Sequence, residues 1–450
     1  MFTHVLKRPV RRIIGLLVVW SGHATSVAQP TPDAPATFTV GFAKRDITPT
    51  APMPMWGYGA RHDMLSTGTL DPLYAKAIVI EAAGDKVAIV GLDLGRGPTT
   101  DMMKDIRTRC AEAAGIEHFL ISGSHTHHGP VIELTDNPGF GKGKYDDAVA
   151  YSAKLLELLI EVILEADGSR KPAKLGIGAK DILFNRNRHT KRTPKATDPM
   201  LAVMRFDHAD GRPMAVLVNY AAHPVMTDVR QLKFSADYPG FMMNKVEQAL
   251  SVPCVFMQGA AGDLSPNPNN GRKQVDAFGN ALADEVIALS ATITPTRPTT
   301  LSIQGKVDTF NFSSRTDFKN PVILLLFSRA FFPELVQNFF RDFADGIPCE
   351  LNTVLLNRNI ALVGGSGEFF CNHAVRLKER SYVDHTLFFG YCNGHCLYFP
   401  TIEAASEGGY GADAAVSPVA VGAGERMMNR ALINIYTMLG KYATKNVPEE

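Results

Sequence analysis

A short histidine-rich segment is the part of this sequence best suited to chemistry. Residues 124–130 read Ser-His-Thr-His-His-Gly-Pro, so one residue separates His125 from His127. Because alternate side chains of an extended segment point the same way, both imidazoles are predicted to face one metal ion or one substrate. The sequence has no His-Glu-x-x-His motif, which excludes a zincin-type site.

Two further polar turns follow apolar, strand-like runs. His223 and Pro224 come after the run at 214–218, and Gly262-Asp263-Leu264-Ser265 comes after the run at 254–257. Strand ends in α/β sheets converge on one crevice, so we expect these turns to meet the histidine segment there. The second turn lacks the Gly-x-Ser-x-Gly elbow of α/β-hydrolases. It is either a plain tight turn or a loop that presents a nucleophile or an oxyanion donor.

The elements that must position these turns alternate along the chain. Strands are predicted at 86–92, 119–122, 214–218 and 254–257, and helices at 98–114, 146–166, 239–251 and 273–291. Asp210-Gly211 indicates a hairpin turn, strands are expected to dominate 296–400, and a helix near 420–441 closes the pattern. Alternating strands and helices predict an α/β fold: a mixed-sheet catalytic domain with flanking helices and its site at strand C-terminal ends. No internal linker is evident, which favours one domain over 38–445.

The N-terminus has the three-part layout of a secretory signal. A basic head (Lys7 to Arg12) precedes an apolar run (Ile13 to Trp20) and the small-x-small segment Ser26-Val27-Ala28. We therefore expect a signal peptide over 1–28, a linker over 29–37 and export to the periplasm or the medium. The alternative is a disordered basic tail.

Composition narrows the function classes. The 450 residues carry a formal net charge of +1, which disfavours nucleic acid as a partner, and no later run is long and apolar enough for a membrane span. Six cysteines occur, and either one disulfide among Cys371, Cys392 and Cys396 or a set of buried thiols is compatible with their spacing.

One apolar stretch stands apart. Residues 321–327 read Pro-Val-Ile-Leu-Leu-Leu-Phe and are followed by Phe331, Phe332, Phe339 and Phe340. It is either a core helix or an apolar lid or membrane-touching face for a lipid-like substrate.

Taken together, an ordered series of motifs over about 40–415 resembles the neutral, non-lysosomal ceramidase family. The series comprises Gly41 to Pro49, Trp56-Gly57-Tyr58, Tyr74 to Glu81, the Ser-His-Thr-His segment, Asn185-Arg186, His223-Pro224, Ser235-Ala236-Asp237, Asp263 to Asn267, Gly367-Glu368-Phe369 and Tyr398 to Tyr410. Each motif is weak alone, but their order and spacing are specific.

The resemblance implies one zinc ion per chain. It assigns the metal ligands to His125, His223, Glu368 and Tyr398. Two imidazoles, a carboxylate and a phenol supply the N and O donors that zinc accepts, although Tyr is an uncommon ligand. Read without the family pattern, Glu368 is a surface carboxylate and Tyr398 a packed aromatic residue.

The resemblance also implies metal-assisted hydrolysis of an amide. His127 is expected to act as general base and then acid, while Arg186 and Tyr410 contact the carbonyl or the leaving group. Ser265 matches the family's nucleophile position, but a zinc-water route needs no acyl-serine, so its role is either nucleophile or oxyanion donor. The expected reaction releases a fatty acid and a sphingosine-like amine from ceramide or a related N-acyl lipid, and a membrane surface is one expected source of that substrate.

Several departures from the family pattern bear on the substrate. His128 replaces a small Ser, Gly367-Glu368 replaces Pro-Gly-Glu, Glu403 stands alone where the family has paired glutamates, and the family's C-terminal β-sandwich has no counterpart here. Two alternatives therefore stay open: the same zinc scaffold acting on a different small amide or ester, and an exported binding protein without turnover.

Overall fold

Two β-sheets packed against each other organise the molecule. The computed structural model describes residues 38–269 and 271–442. The strands, numbered in chain order, are β1 (Phe38–Asp46), β2 (Tyr74–Ala82), β3 (Asp85–Leu92), β4 (His118–Gly123), β5 (Thr135–Pro138), β6 (Gly141–Lys142), β7 (Lys171–Asp181), β8 (Asn185–Asn187), β9 (Met200–His208), β10 (Pro213–Tyr220), β11 (Cys254–Gln258), β12 (Leu264–Pro266), β13 (Ile303–Phe312), β14 (Ile347–Leu356), β15 (Ile360–Gly365), β16 (Glu368–Phe369), β17 (His385–Phe389) and β18 (Tyr398–Phe399). The α-helices are α1 (Thr100–Ala114), α2 (Asp146–Gly168), α3 (Asp237–Leu250), α4 (Val275–Thr292), α5 (Pro321–Ala330), α6 (Pro333–Phe343), α7 (Cys371–Arg380), α8 (Ile402–Glu407) and α9 (Ala423–Met438).

The larger sheet is mixed. Its eight strands run in the order β11-β10-β9-β7-β1-β2-β3-β4, and only the pairs β3–β4 and β10–β11 are parallel. The smaller sheet has the order β13-β14-β15-β17. Both parallel pairs of the larger sheet lead into the polar turns singled out from the sequence, so the C-terminal ends of β4, β10 and β11 open onto the same region.

Alternation along the strands explains the layering. On β2, Ala77 and Val79 pack with α1 and α2, whereas Ile78 and Ile80 face residues of the smaller sheet such as Leu362. The outer face of the smaller sheet packs against α9 in the same way. Because successive side chains of a strand point to opposite faces, this pattern yields helix, sheet, sheet and helix layers.

The predicted α/β fold with a mixed sheet and flanking helices is confirmed. The predicted helices form as α1, α2, α3, α4 and α9, and Gly211 with φ +91° turns β9 into the antiparallel β10. The expectation that strands dominate 296–400 misses α5, α6 and α7. Of these, α5 contains a strongly apolar run that periodicity alone does not distinguish from a buried strand.

The domain boundaries stay predictions. The signal peptide at 1–28, the linker at 29–37 and the domain end at 445 lie outside the described residues. The described residues belong to one compact unit. Among them, no helix combines the length and apolar character that crossing a bilayer requires, and the six cysteines are buried and unpaired.

Candidate active site

The histidine segment leaves β4 through a tightly held bend. The backbone N–H groups of Ser124 and His125 donate to the carbonyls of Leu92 and Leu94 at 2.7 and 2.9 Å. His125 itself has φ +68°, a left-handed conformation that costs free energy for a residue with a Cβ. Such a conformation persists only where neighbouring contacts enforce it, and here it turns the imidazole into the interior.

Backbone carbonyls fix the tautomers of two buried histidines. Nδ1 of His125 lies 2.7 Å from the carbonyl oxygen of Gly95, and Nδ1 of His223 lies 3.1 Å from that of Ala261. Since a carbonyl only accepts, each Nδ1 carries the proton and each Nε2 presents a lone pair. This is the arrangement that orients metal-binding imidazoles in proteins.

Glu368 brings a carboxylate to the same point. It lies on β16, which pairs in parallel with β18 so that Glu368 stands beside Tyr398. Its Oε2 lies 3.2 Å from Nε2 of His125 and 3.9 Å from Nε2 of His223, and the two Nε2 atoms are 2.9 Å apart. The predicted ligands His125, His223 and Glu368 therefore converge.

The donor atoms suit a divalent ion. Zinc–nitrogen bonds of about 2.0–2.1 Å in a tetrahedral site separate neighbouring donors by about 3.3 Å, close to the spacings found here. Oε2 of Glu368 is buried and has no hydrogen-bond partner among the described residues, which is costly unless a cation or water completes it. Nitrogen atoms of His125, His127 and His223 also lie within 4.8 Å of one another. These residues fit zinc.

His127 lies at the edge of this group. Its Nε2 is 3.3 Å from Nε2 of His125, while its buried Nδ1 has no partner among the described residues. Burial, reinforced by His125 and Arg188, holds the pKa of His127 well below its usual range. The ring rests against Gly57, where a Cβ would lie 2.5 Å from Cγ of His127, so only glycine permits this close approach. The result is a neutral imidazole beside the candidate ligands.

Two tyrosines and an arginine lie near the candidate ligand Glu368. Tyr398 and Tyr410 pack with ring centroids 5.6 Å apart, and Nη2 of Arg188 donates to Oη of Tyr398 at 3.2 Å. Burial and the nearby charge of Glu368 raise the pKa of Tyr398 well above its usual value. Tyr398 therefore holds its proton unless a cation stabilises the phenolate.

The structure does not bring Arg186 and Ser265 into the cluster. They face each other across the short antiparallel pair of β8 and β12, and Arg186 is exposed. Both line an open depression with Lys195 and Thr197. The Asp263-Leu264 turn beside them acts through its backbone: the carbonyl of Leu264 accepts from His223 N at 3.0 Å, and that of Asp263 accepts from Arg188 N at 2.8 Å.

Arg188 is a site residue that the sequence patterns do not predict. The dipeptide Asn-Arg occurs twice in succession, at 185–186 and 187–188, and the resemblance implies the first copy. In the structure, Nη2 of Arg188 donates to the carbonyl of Gly262 at 2.9 Å and lies 3.2 Å from Nδ1 of His223. The repeated dipeptide is the available signal, but its two copies are identical, so the sequence alone does not separate them.

Trp56 forms the wall between the histidines and a buried ion pair. Its Nε1 donates to Oε1 of Glu133 at 3.0 Å, and Arg96 pairs with the same carboxylate oxygen at 3.2 Å. The indole ring packs edge-on against His125 and His127, with centroids 5.1 and 5.8 Å away. Trp56, held by its hydrogen bond to Glu133, therefore limits the movement of both imidazole rings.

A cavity of about 110 Å³ leads to this cluster. Its inner end is formed by His125, His127, Glu368 and Tyr398. Tyr410 also lines the cavity but is 66% exposed. The walls are mostly aromatic and aliphatic: Met55, Trp56, Tyr58, Phe318, Phe327, Phe331, Phe332, Leu335, Val336, Phe339, Phe340, Leu397 and Val416. Such an apolar space with polar groups at one end suits a ligand with a hydrocarbon tail and a polar head.

Comparison with known proteins agrees with this geometry. A family model described as neutral/alkaline non-lysosomal ceramidase, N-terminal, matches residues 38–277. Over 157 residues, which are 32% of this chain, it is 27% identical to a neutral ceramidase of Oryza sativa and 29% identical to neutral ceramidase 2 of Arabidopsis thaliana. These stretches cover 19% and 20% of the relatives, so the chain spans about a fifth of the length of the curated relatives it matches.

Solved structures extend the likeness over nearly the whole chain. The neutral ceramidase of Pseudomonas aeruginosa superposes with a TM-score of 0.73 at 17% identity, covering 93% of this chain and 77% of that one. A ceramidase complexed with C2 gives 0.69 at 17% identity, with 92% and 77% covered. At this identity the likeness shows a common fold. Since the family model spans more than half of the 450 residues, the chain belongs to the neutral/alkaline non-lysosomal ceramidase family.

Proposed function

We propose that this chain is a zinc-dependent amide hydrolase that cleaves ceramide or a related N-acyl lipid to a fatty acid and a sphingosine-like amine. The observation that carries the proposal is the convergence of Nε2 of His125, Nε2 of His223 and Oε2 of Glu368 within 2.9–3.9 Å at the inner end of an apolar cavity. Family membership supplies the substrate class, because the matched relatives are named neutral ceramidases.

Four residues would hold one zinc ion. His125, His223 and Glu368 offer lone pairs at one point, and Tyr398 stands beside Glu368 in the paired strands β16 and β18. When bound, zinc supplies Lewis-acid polarisation of the acyl carbonyl and a lowered pKa for water. Arg188 supports Tyr398 in this role because its guanidinium donates to the phenol oxygen.

His127 moves the proton. Its lowered pKa keeps the imidazole neutral, so a ring nitrogen can accept a proton from the attacking water. The imidazolium formed next to His125 and Arg188 is destabilised and gives the proton up readily to the departing amine nitrogen. His127 is thereby general base first and general acid second.

Arg188 and Tyr410 are the proposed donors to the oxyanion. Arg188 replaces Arg186 in this role because its guanidinium reaches Tyr398 and His223. Both arginines are exposed and border the same depression, but the Arg186 side chain makes no hydrogen bond or ion pair with a site residue that the structure describes. Tyr410 lines the cavity beside Tyr398. Ser265 is assigned no step; its turn contributes the backbone carbonyls that hold His223 and Arg188.

The apolar walls take the hydrocarbon part of the substrate. Phe318, Phe327, Phe331 and Phe340 lie along the cavity, where hydrophobic transfer of each buried CH₂ contributes about 0.8 kcal/mol.

A lipid surface is the proposed source of the substrate. Asn320 caps helix α5 because its side chain accepts from Val322 N at 2.9 Å, and none of the helix residues is buried. Val322, Leu325 and Leu326 are 61%, 58% and 51% exposed and recur at helical spacing, so they form one apolar helix face. Phe327, on the other face of the same helix, lines the cavity, so α5 carries both an exposed apolar face and part of the cavity wall. An exposed apolar face beside a lipid cavity fits insertion into a bilayer interface.

Metal analysis combined with a substrate series tests the proposal. We expect one zinc per chain, and release of fatty acid from N-acylsphingosines that depends on acyl-chain length and stops on chelation. Equal rates across chain lengths, with short amides or esters preferred, would select the smaller substrate. Full zinc occupancy without turnover on any member of the series would support the exported binding protein instead.

Export is proposed on the sequence pattern at 1–28. If the segment is cleaved after Ala28, mass spectrometry of the protein isolated from its native cells gives an N-terminus at Gln29. Recovery of the protein with residues 1–28 intact in the cytoplasmic fraction would contradict export.

A further inference from the structure

His395 is a buried histidine that the proposed reaction leaves without a task. Only 4% of the residue is exposed, and neither Nδ1 nor Nε2 has a hydrogen-bond partner among the described residues. Leaving a buried polar atom unpaired costs about 1–3 kcal/mol, so an imidazole with two such atoms calls for a physical reason.

The segment that carries His395 is hydrogen-bonded to the backbone near two of the candidate metal ligands, His125 and Glu368. Asn393 N donates to the carbonyl of Ile121 on β4, the strand that leads to His125. Cys396 N donates to the carbonyl of Ser366, and Glu368 N donates to that of Leu397, all at 2.9 Å. His395 therefore lies on a rigid segment that is bonded to the backbone on both sides of the site.

Its side chain faces the outer oxygen of the candidate carboxylate ligand. Nε2 of His395 lies 3.6 Å from Oε1 of Glu368, while Oε2 of the same carboxylate faces His125 at 3.2 Å. The ring of His395 is 6.2 Å from that of His125, compared with 4.3 Å between His125 and His223, so it stands outside the compact group of nitrogen donors. The ring of His395 packs against two aromatic side chains. The centroid of Trp56 lies 5.3 Å away, and the ring of Tyr391 is nearly parallel to that of His395, with an interplanar angle of 13°.

We propose that His395 is a positioning residue: its Nε2–H faces Oε1 of Glu368 and closes from 3.6 Å to a hydrogen bond when a metal ion occupies the site, which leaves Oε2 to bind the metal. This inference rests on the proposed zinc site and adds a residue to it. A neutral imidazole carries one N–H, and a shift of about 0.4 Å brings Nε2 and Oε1 within hydrogen-bond distance. A carboxylate held by one oxygen loses its freedom to rotate, which favours binding through the other oxygen.

Zinc affinity of three variants tests this role. His395→Phe keeps a flat ring but removes the donor, whereas His395→Gln places an amide N–H near the position of Nε2. His373→Phe is the matched control, because His373 is also buried with an unpartnered Nε2 but packs against Phe369 and α9. Zinc dissociation constants come from competition with a chromogenic chelator, and the absorption spectrum of the cobalt-substituted protein reports the ligand geometry.

We expect His395→Phe to bind zinc about 10- to 100-fold more weakly than the wild type and to change the cobalt spectrum. His395→Gln should recover most of the affinity, and His373→Phe should bind as the wild type does. Equal affinity of His395→Phe and wild type would overturn the inference, and so would a His395→Gln protein as weak as His395→Phe. If the wild type itself bound no zinc, the proposed function would fall first, and the inference with it.

Discussion

The cluster of candidate metal ligands and helix α5 are unusual in burial in opposite ways. His125, His223 and Glu368 are polar side chains withdrawn from water, and Glu368 retains an unpartnered oxygen. Val322 and Leu325 are apolar side chains left in water on a helix without a buried residue. Each arrangement costs free energy, and under the proposals above a cation would relieve the first and an apolar surface the second.

The two regions also differ in how they are held. The cluster is fixed by backbone hydrogen bonds around His125 and by the buried Arg96–Glu133 pair behind Trp56. Helix α5 is held chiefly by α6 and by the contact of Ser328 O with Nε2 of His62 at 3.2 Å. We therefore expect changes in the cluster to abolish chemistry on every substrate, and changes on α5 to alter only how lipid substrates arrive.

Removal of the metal is the largest expected effect. His125→Ala removes one of the converging nitrogen donors, and zinc supplies several kcal/mol of transition-state stabilisation, so kcat/KM should fall about 1,000-fold or more. Fatty-acid release measured by mass spectrometry, together with zinc content, checks this. Chelation of the wild type should give the same loss, and restored zinc should reverse only the chelated sample. Activity that survives full zinc removal would contradict the proposal that the candidate metal ligands carry the chemistry.

His127 separates metal binding from proton transfer. His127→Gln leaves His125, His223 and Glu368 in place, so zinc should remain bound while kcat falls about 1,000-fold, within the range for a lost general acid–base. Metal content and kcat measured on the same preparation decide the point. Loss of zinc in parallel with kcat would instead make His127 a ligand, an outcome that its 3.3 Å distance from His125 Nε2 also permits.

Sequence patterns predicted the cluster better than the residues around it. His125 and His223 follow apolar strands, and the convergence of strand ends explains why they meet. Glu368 and Tyr398 came only from the resemblance, since their two-residue strands β16 and β18 have no periodicity to read. The sequence patterns did not predict a role for His395 either, because its position depends on a loop that is hydrogen-bonded to segments distant in sequence.

The apolar stretch shows the opposite limit. Composition left the stretch at 321–340 open between a core helix and an apolar lid or membrane-touching face, because the two have the same residue content. Only tertiary packing tells them apart: α6 buries Leu335 and Phe340, whereas α5 buries nothing. The layers of the fold could be predicted, since strand alternation follows from local chemistry, but the covering of α5 could not.

The arginines of the two Asn-Arg dipeptides provide a matched test, with an expected change in kcat/KM smaller than that for the metal ligands. Arg188→Gln should lower kcat/KM about 100-fold, as expected for losing a charged donor near the oxyanion, because its guanidinium contacts Tyr398 and His223. Arg186→Gln should stay within about twofold of wild type, because the Arg186 side chain makes no hydrogen bond or ion pair with a site residue that the structure describes. Steady-state kinetics on one short-chain N-acylsphingosine compares them. The reverse ranking would move the oxyanion site to β8 and β12.

The smallest effect is expected on α5, and it should depend on how the substrate is presented. Replacing Val322, Leu325 and Leu326 by Ser removes the apolar helix face, and a loss of about 1.4 kcal/mol in surface binding corresponds to a tenfold change. We expect KM for ceramide in phosphatidylcholine vesicles to rise about 10-fold, with kcat/KM for a water-soluble short-chain substrate unchanged. A control triple, Leu183→Ser, Val307→Ser and Val421→Ser, removes exposed apolar residues elsewhere and should leave both values alone.

Vesicle co-sedimentation of the same proteins separates binding from turnover. The α5 variant should pellet less than wild type and the control should pellet equally, because the three replaced residues form one exposed apolar face on the helix whose Phe327 lines the cavity. Equal loss of activity on vesicles and on the soluble substrate would mean that α5 shapes the cavity instead of contacting lipid. The contrast between the two regions would then disappear, since α5 would act on the chemistry as the metal cluster does.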